Sequence, residues 1–302
     1  RMWLDWVFAE VFGLTERLSA ETAQHYYDVI DAALRTDGFR PRALFDRFGI
    51  EVIATTESPL DPLLHHAAIK AANDGGEWGG RVITAYRPDP VVDPEFEGFA
   101  ANVRQLGELT GEDTASWSGY LAAHRRRRAF FAEHGATSTD HGHPTAATAN
   151  LAPAECEQLL ARVLAGAPSR ADAALFRAQM LTEMARMSLD DGLVMQIHPG
   201  SSRNHNAQLF ARYGRDKGAD IPMPTGYVEA LRPLLDAVGN EPGLTIILFT
   251  LDETSYAREL APLAGHYPCL RLGPPWWFHD SPEGMRRFRL QLPRRTGRRP
   301  PA

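Results

Sequence analysis

Two side chains of useful chemistry close the stretch Leu193–Asn206, LVMQIHPGSSRNHN, where an apolar run stops abruptly at His198 and Arg203 follows on the loop beyond. An imidazole can take or give a proton near neutral pH or ligate a metal. A guanidinium can grip a carboxylate or phosphate through two parallel hydrogen bonds. Similar clusters recur along the chain: Thr55, Thr56 and Glu57; Arg87 and Asp89 in YRPD; Asp140, His141 and His143 in TDHGH; Thr250 and Asp252; and Trp276, Trp277, His279 and Asp280 in WWFHD. The acids and histidines suit general acid–base work or a hard or borderline metal. The two arginines suit a small anion, and no glycine-rich phosphate loop accompanies them to favour a nucleotide. No Ser-His-Asp order or nucleophile elbow is present, which weighs against acyl transfer. A single histidine is more often a hydrogen-bonded structural residue, the preferred reading for His65 and His66. Tryptophans more often pack than recognise, although an indole face also fits the apolar face of a sugar.

What positions these groups is a rhythm of short apolar runs and longer helical segments. The pattern predicts strands over Glu51–Thr56, Arg81–Tyr86, Ala136–Thr139, Leu193–Ile197, Leu244–Leu251 and Cys269–Leu272. It predicts helices over Trp3–Phe12, Ser19–Leu34 and Pro41–Phe48, then over Phe96–Leu109, Ser116–His134, Pro153–Leu164, Arg170–Asp190, Tyr227–Val238 and Ser255–Leu263. Strands separated by helices pair in parallel through right-handed crossovers. Each polar cluster then falls at the carboxyl end of a strand, the face on which α/β barrels gather their chemistry.

Composition sets the remaining bounds. A chain of 302 residues with 44% hydrophobic residues can bury one large core or two smaller ones. No stretch approaches the roughly 20 apolar residues of a membrane span, and the start lacks the layout of a signal peptide. Two cysteines are too few for a disulfide framework, so a reducing, cytoplasmic setting is expected. The net charge of −6 hides seven arginines without an acid between Arg286 and Arg299. That run lacks aromatic interleaving beyond Phe288 and any regular period, so it does not read as a nucleic-acid or membrane site. The chain is expected to divide into a helical segment over 1–50 packed on a barrel, an incomplete (β/α) barrel over 51–289, and a basic tail over 290–302 that is disordered or foreign to the fold.

Five stretches in series carry a family resemblance: TTESPLDPLLHHAAI (Thr55–Ile69), YRPD (Tyr86–Asp89), TDHG (Thr139–Gly142), MQIHPGSSRNHN (Met195–Asn206) and WWFHDSPEGM (Trp276–Met285). In order and approximate spacing they resemble the uronate isomerases, also called glucuronate isomerases, of the amidohydrolase superfamily, over roughly Arg1–Arg289. The resemblance implies an α/β fold, a TIM-like (β/α)8 barrel of the amidohydrolase type, here with about six of eight βα units and an N-terminal helical segment. It implies interconversion of D-glucuronate and D-fructuronate, and of D-galacturonate and D-tagaturonate, by proton transfer from C2 to C1 through a cis-enediol. On matched positions, His198 and Asp140 are the expected catalytic residues, polarising or hydrogen-bonding the substrate oxygens. Arg203 and Arg87 are expected to anchor the hexuronate, with Trp276, Trp277 and Asp280 lining the mouth, and His198 is also the candidate metal ligand.

The resemblance further implies a divalent metal, zinc by expectation, in the complete enzyme. It places a His-x-His pair at the end of the first strand and an Asp-x-Arg at the end of the last. Neither pattern stands at a matching position here. HGH at His141–His143 has the first spacing but belongs to the TDHG stretch, and Asp280 belongs to WWFHD. The chain is therefore expected to lack its outer strands, most of a metal site and much of its stability. A small-molecule substrate, no nucleic acid, no membrane and room for a homo-oligomer complete the expectation. A metal-dependent hydrolase of the same superfamily and a non-catalytic sugar-acid-binding protein are the alternative readings, because a barrel does not fix its chemistry.

Overall fold

The computed structural model describes residues 2–166 and 168–295. It falls into two compact units, one made of Arg1–Ile53 and Ala67–Val82, the other of Ala54–His66 and Ile83–Ala302.

The smaller unit is helical, with Met2–Phe12, Ala23–Leu34 and Pro41–Arg47 as its main helices. Aromatic pairs hold them: Phe8 of the first meets Tyr26 of the second edge-on at 5.0 Å, Phe12 stacks on Phe39 of the turn Asp37–Phe39 at 5.2 Å, and Phe45 of the third meets Trp78 at 4.8 Å. Trp78 Nε1 donates to Asp46 at 3.2 Å, giving the indole the polar partner that a partly buried ring needs.

The larger unit is built on strands β1 (Val52–Glu57), β2 (Arg81–Tyr86), β3 (Ser138–His141), β4 (Val194–Ile197), β5 (Ser201–Ser202), β6 (Ile221–Pro222), β7 (Ile246–Leu248) and β8 (Leu270–Leu272). Residues 54–57 of β1 and 83–86 of β2 belong to it. Six strands form one sheet in the order β1-β2-β3-β4-β7-β8. The pairings of β2 with β3, β3 with β4, β4 with β7 and β7 with β8 are parallel. Each strand lies beside its predecessor in the sheet, as the strands of a sequential α/β barrel do. This is the run of about six βα units expected from the sequence, and among the described residues the sheet is open.

Helices cover the sheet, and their ends are set by local chemistry. Ser116 caps Trp117–Glu133 by accepting from Gly119 N, and Ser169 caps Arg170–Asp191 by accepting from Asp172 N. Such caps satisfy amide groups that have no partner within the helix. Gly192 ends the latter helix in the left-handed region, φ +76°, which a side chain would resist. Helix Pro153–Leu164 and strand β2 have the bounds the sequence suggests.

Other elements differ from expectation. Strand β3 runs through Asp140 and His141, two residues beyond its expected end, because the register Asp140↔Gln196 and His141↔Ile197 extends the ladder. The loop after β4 is not featureless. Asn206 caps a short helix, Ala207–Tyr213, and β5 pairs antiparallel with β6. The segment expected as one helix over Ser255–Leu263 is a composite whose middle turn, Tyr256–Leu260, is π-helical. A final helix, Pro282–Arg295, runs into the tail expected to lie outside the fold, while residues 296–302 lie outside the described residues. Among the described residues, no helix is long and apolar enough to cross a membrane.

The core contains an unusual polar group. Arg128, fully buried on helix Trp117–Glu133, donates from Nε and Nη2 to the two Asp191 oxygens at 2.6 and 2.9 Å and from Nη2 to Ser188 at 3.0 Å. It therefore joins two helices by charge, with the guanidinium end buried and the Asp191 end reaching the surface. Beside it, Tyr86 Oη lies 2.7 Å from His124 Nδ1. Burial, then the nearby Arg128 charge, lowers the His124 pKa to about 3, so the ring is neutral and shares a hydrogen bond with the tyrosyl hydroxyl. Asp191→Ala is expected to cost about 3–5 kcal/mol in urea unfolding by stranding Arg128, and a cost under about 1 kcal/mol would show that the pair does not hold the helices.

Candidate active site

The carboxyl ends of β2, β3 and β4 converge on an open cleft of about 740 Å3 in the larger unit, lined by Arg87, Asp89, His143, His198, Ser201, Arg203 and Arg215 among others. Behind the cleft wall, in contact with the lining residues Arg87 and His198, lies buried Asp140, the third residue of β3, whose two oxygens face different partners. Oδ2 accepts from Arg87 Nη1 at 2.9 Å, and Oδ1 stands 2.7 Å from His198 Nδ1. The histidine contact is electrostatic, since neither atom has a well-aligned hydrogen-bond partner. Burial works to raise the Asp140 pKa, but His198 and then Arg87 outweigh it and hold the carboxyl below its ordinary value.

Arg87 is itself fixed. Its Nε donates to Asp89 Oδ2 at 2.7 Å, while Gly142 N donates to Asp89 Oδ1 at 3.2 Å. A Cβ at Gly142 would overlap Arg87 Nη2 and stand 2.9 Å from Asp89 Oδ2, so glycine is needed for this close approach. Burial disfavours the Arg87 charge, but Asp89 and Asp140 more than compensate and raise its pKa.

His198 is oriented by its backbone and by aromatic rings. Its amide donates to His141 O at 2.8 Å, continuing the ladder one step past β4. Its ring lies on Phe249 with centroids 4.0 Å apart and planes within 20°, and Trp276 meets it edge-on at 4.6 Å. Gly273 leaves room for Phe249, since a Cβ there would come within 2.6 Å of the ring.

Arg203 sits farther out, where β5 turns away from the sheet. Its Nη1 donates to Asp220 at 3.1 Å, and its guanidinium lies 4.8 Å from the centre of the Trp277 ring. Asn204 adopts φ +52°, and its amide donates to Asp220 Oδ1 at 2.7 Å, so one carboxylate fixes both the loop and the arginine. The outer rim carries Arg215 over Phe96 at 4.7 Å.

The sequence-derived residues thus fall into two linked groups. Arg87, Asp140, His198 and Trp276 form a chain of contacts in that order, and Arg203 joins Trp277. Trp276 and Trp277 also touch each other, with centroids 5.3 Å apart. Asp280 is exposed, outside the residues that line the cleft. Several participants escaped sequence reasoning. Asp89 is visible in the YRPD stretch but its role in fixing Arg87 is not, and Phe249 is the fourth apolar residue of IILF after β7 begins. Asp220 and Arg215 carried no signal, since both arrive through the excursion between β5 and β6. His66, read as structural, lies 2.9 Å from Thr55 Oγ1.

Among the described residues, no three His, Cys, Asp or Glu side chains come together in a group able to hold an ion. His198 remains a lone candidate with Nδ1 against Asp140. The donors present do not amount to a metal site, so no chemical step is routed through one.

Comparison with known proteins gives a consistent result. The family model described as glucuronate isomerase matches residues 1–294. A uronate isomerase from Sphingopyxis alaskensis is 74% identical over 297 residues, 98% of this chain and 63% of that protein. The crystal structure of glucuronate isomerase from Caulobacter crescentus superposes with a TM-score of 0.93 at 62% identity, covering 98% of this chain and 61% of that one. A uronate isomerase structure from Thermotoga maritima gives 0.89 at 26% identity, covering 97% and 64%. The chain spans about three fifths of the length of the relatives it matches.

The buried histidines give the site a pH dependence. Burial, then the neighbouring His143 charge, pushes the His141 pKa well below its ordinary value, and burial lowers that of His143. An unfolded histidine titrates near 6.5. Their stabilising contribution is therefore full above about pH 6.5 and is lost as pH falls toward the folded-state values, where only the unfolded chain takes up protons. The urea midpoint is expected to drop between pH 7.5 and 5.5. The drop should shrink in a His141→Asn, His143→Asn variant, and an equal drop would assign the effect to other groups.

Proposed function

The chain belongs to the glucuronate isomerase family, and we propose that its cleft serves the aldose–ketose isomerisation of a hexuronate, D-glucuronate to D-fructuronate and D-galacturonate to D-tagaturonate. The observation that carries this reading is the arrangement of an acid–base pair and a separate cation along one polar cleft, the form of a sugar acid with a carbonyl at one end and a carboxylate at the other.

In the open-chain aldehyde, a base takes the proton from C2 and exchanges it with solvent, a cis-enediol forms, and the protonated base returns a proton at C1. Charge accumulates on O1 and O2 as the C2–H bond breaks, so a donor beside those oxygens lowers the barrier. His198 takes that part, and Asp140 balances positive charge on the imidazole as it exchanges protons with the substrate oxygens. Arg87 is a positioning residue, because two of its donors are engaged by Asp89 and Asp140. Its guanidinium keeps Asp140 ionised and in place rather than acting first as a clamp. Arg203 takes the distant carboxylate. Among the described residues only Nη1 of its guanidinium is hydrogen-bonded to the protein, and Trp277 and Asp220 hold the group in one orientation. Fixing both ends of a flexible substrate supplies the orientation that intramolecular proton transfer needs.

Trp276 stands against His198 and Trp277 against Arg203, so indole faces suited to the carbon-bound hydrogens of the sugar chain adjoin two of the lining residues. The zinc expected from the resemblance has, among the described residues, only His198 as candidate ligand and is given no step. Two buried free thiols, Cys156 and Cys269, support a reducing, cytoplasmic setting.

Proton NMR of D-glucuronate in deuterium oxide tests the chemistry. Ketose is expected to form with deuterium at C1, and absence of both turnover and uronate binding would overturn the proposal. Arg203→Met should weaken uronate binding roughly tenfold to hundredfold through loss of a charge-assisted contact, whereas an unchanged dissociation constant would remove Arg203 from the carboxylate end.

A further inference from the structure

One wall of the cleft, formed by the turn after β3 and by β5, holds two polar atoms for which the protein supplies no partner. His143 Nε2 and Ser201 Oγ are both buried, and among the described residues neither has a hydrogen-bond partner. His143 is 5% exposed and Ser201 9%, yet both line the cleft together with His198 and Arg203. Buried polar groups in folded proteins are overwhelmingly paired, so two exceptions on one wall ask for a partner from the cleft side.

The two residues are brought together by the backbone. Gly200 N donates to Pro144 O at 3.2 Å, which ties the residue after His143 to the residue before Ser201. Met223 N donates to Gly200 O at 2.9 Å, and Ser201 pairs with Pro222 across the β5–β6 ladder. Gly200 has φ +96°, and a Cβ there would strike Thr225 Oγ1, so the turn that presents Ser201 is tightly specified.

The chemistry of the pair selects its ligand. Burial keeps the His143 ring neutral near pH 7, so one nitrogen donates and the other accepts. The serine hydroxyl likewise does both. A neutral donor–acceptor pair is poorly matched to a carboxylate, which Arg203 serves better, and well matched to an alcohol. We propose that His143 and Ser201 form a hydroxyl-reading subsite that takes secondary alcohols of the sugar acid between its reacting end and its carboxylate. The inference rests on the uronate reading above and adds to it the residues that distinguish a polyhydroxy acid from a simple one. Both atoms lie just beneath the wall, so a ligand hydroxyl is admitted by rotation of Ser201 about Cα–Cβ and of the His143 ring about Cβ–Cγ.

Calorimetric titration of the full chain with D-glucuronate and with hexanoate, a six-carbon carboxylate without hydroxyls, tests the subsite. Ser201→Ala and His143→Leu are each expected to weaken glucuronate binding about tenfold, as loss of one hydrogen bond does. Hexanoate binding should be unchanged in both, and His143→Gln should recover most of the loss. Thermal melting checks that each variant is folded, and if His143→Leu is not, Ser201→Ala and His143→Gln carry the comparison. Folded variants that bind glucuronate as the wild type does would overturn the subsite and leave the isomerase reading standing. Wild-type binding of hexanoate as tightly as glucuronate would also overturn it while sparing the arginine clamp. A wild-type chain that binds neither would remove the uronate reading itself, and the subsite with it.

Discussion

A single buried carboxylate organises the cleft. Asp140 could not stay ionised beneath the protein surface without compensation, because taking a carboxylate out of water is costly. The compensation comes from two directions at once, a guanidinium on one oxygen and an imidazole on the other. Each partner is then constrained in turn: Arg87 by Asp89, Asp89 by the Gly142 amide, and His198 by the Phe249 and Trp276 rings. Removing any one of these leaves a charge or a ring with freedom it does not have in the intact site. The cleft is thus held by a chain of dependencies that starts at one residue of β3.

The parallel sheet makes that chain of dependencies geometrically simple. Arg87 follows β2, Asp140 lies within β3, and His198 follows β4, so three neighbouring strands deliver three neighbouring groups. The register Asp140↔Gln196 puts the carboxylate level with the end of β4, where His198 emerges. No loop has to search for this arrangement. By contrast, Arg203 and Asp220 depend on the antiparallel pair β5 and β6, a two-residue ladder stitched to Gly200 and Thr225. The acid–base centre stands on the sheet and the cation on an appendage to it, a division that suits rigid chemistry beside a clamp able to adjust.

The same division separates what the sequence reveals from what it hides. His198, Asp140 and Arg87 are legible because an apolar run that stops at a polar residue marks a strand end. Helix Pro153–Leu164 is legible because proline opens it and its apolar residues recur at helical spacing. Strand β3 was harder to bound, since Ser138–His141 is polar and only pairing with β4 makes it a strand. Asp220 and Arg215 could not be found at all, because nothing local ties them to the cleft. Phe249 looked like any other strand residue. Its importance comes from the ring it lies against, a fact of packing rather than of pattern. The role of the amides in GSSRNHN also depended on backbone detail, with Asn204 in the left-handed region and Asn206 as a helix cap.

The strand order has a bearing on how the protein is made. Because each sheet strand lies beside its predecessor, a chain leaving the ribosome can add strands one at a time without waiting for a distant partner. Arg87, Asp140 and His198 can meet once β4 has emerged, but Phe249 and Trp276 follow β7 and β8 and arrive later. A nascent chain would therefore assemble its charged centre while it still faces water, when an unpaired carboxylate is cheap, and seal it with aromatic rings only afterwards. The order of synthesis spares the chain the expense of burying Asp140 before its partners are in place.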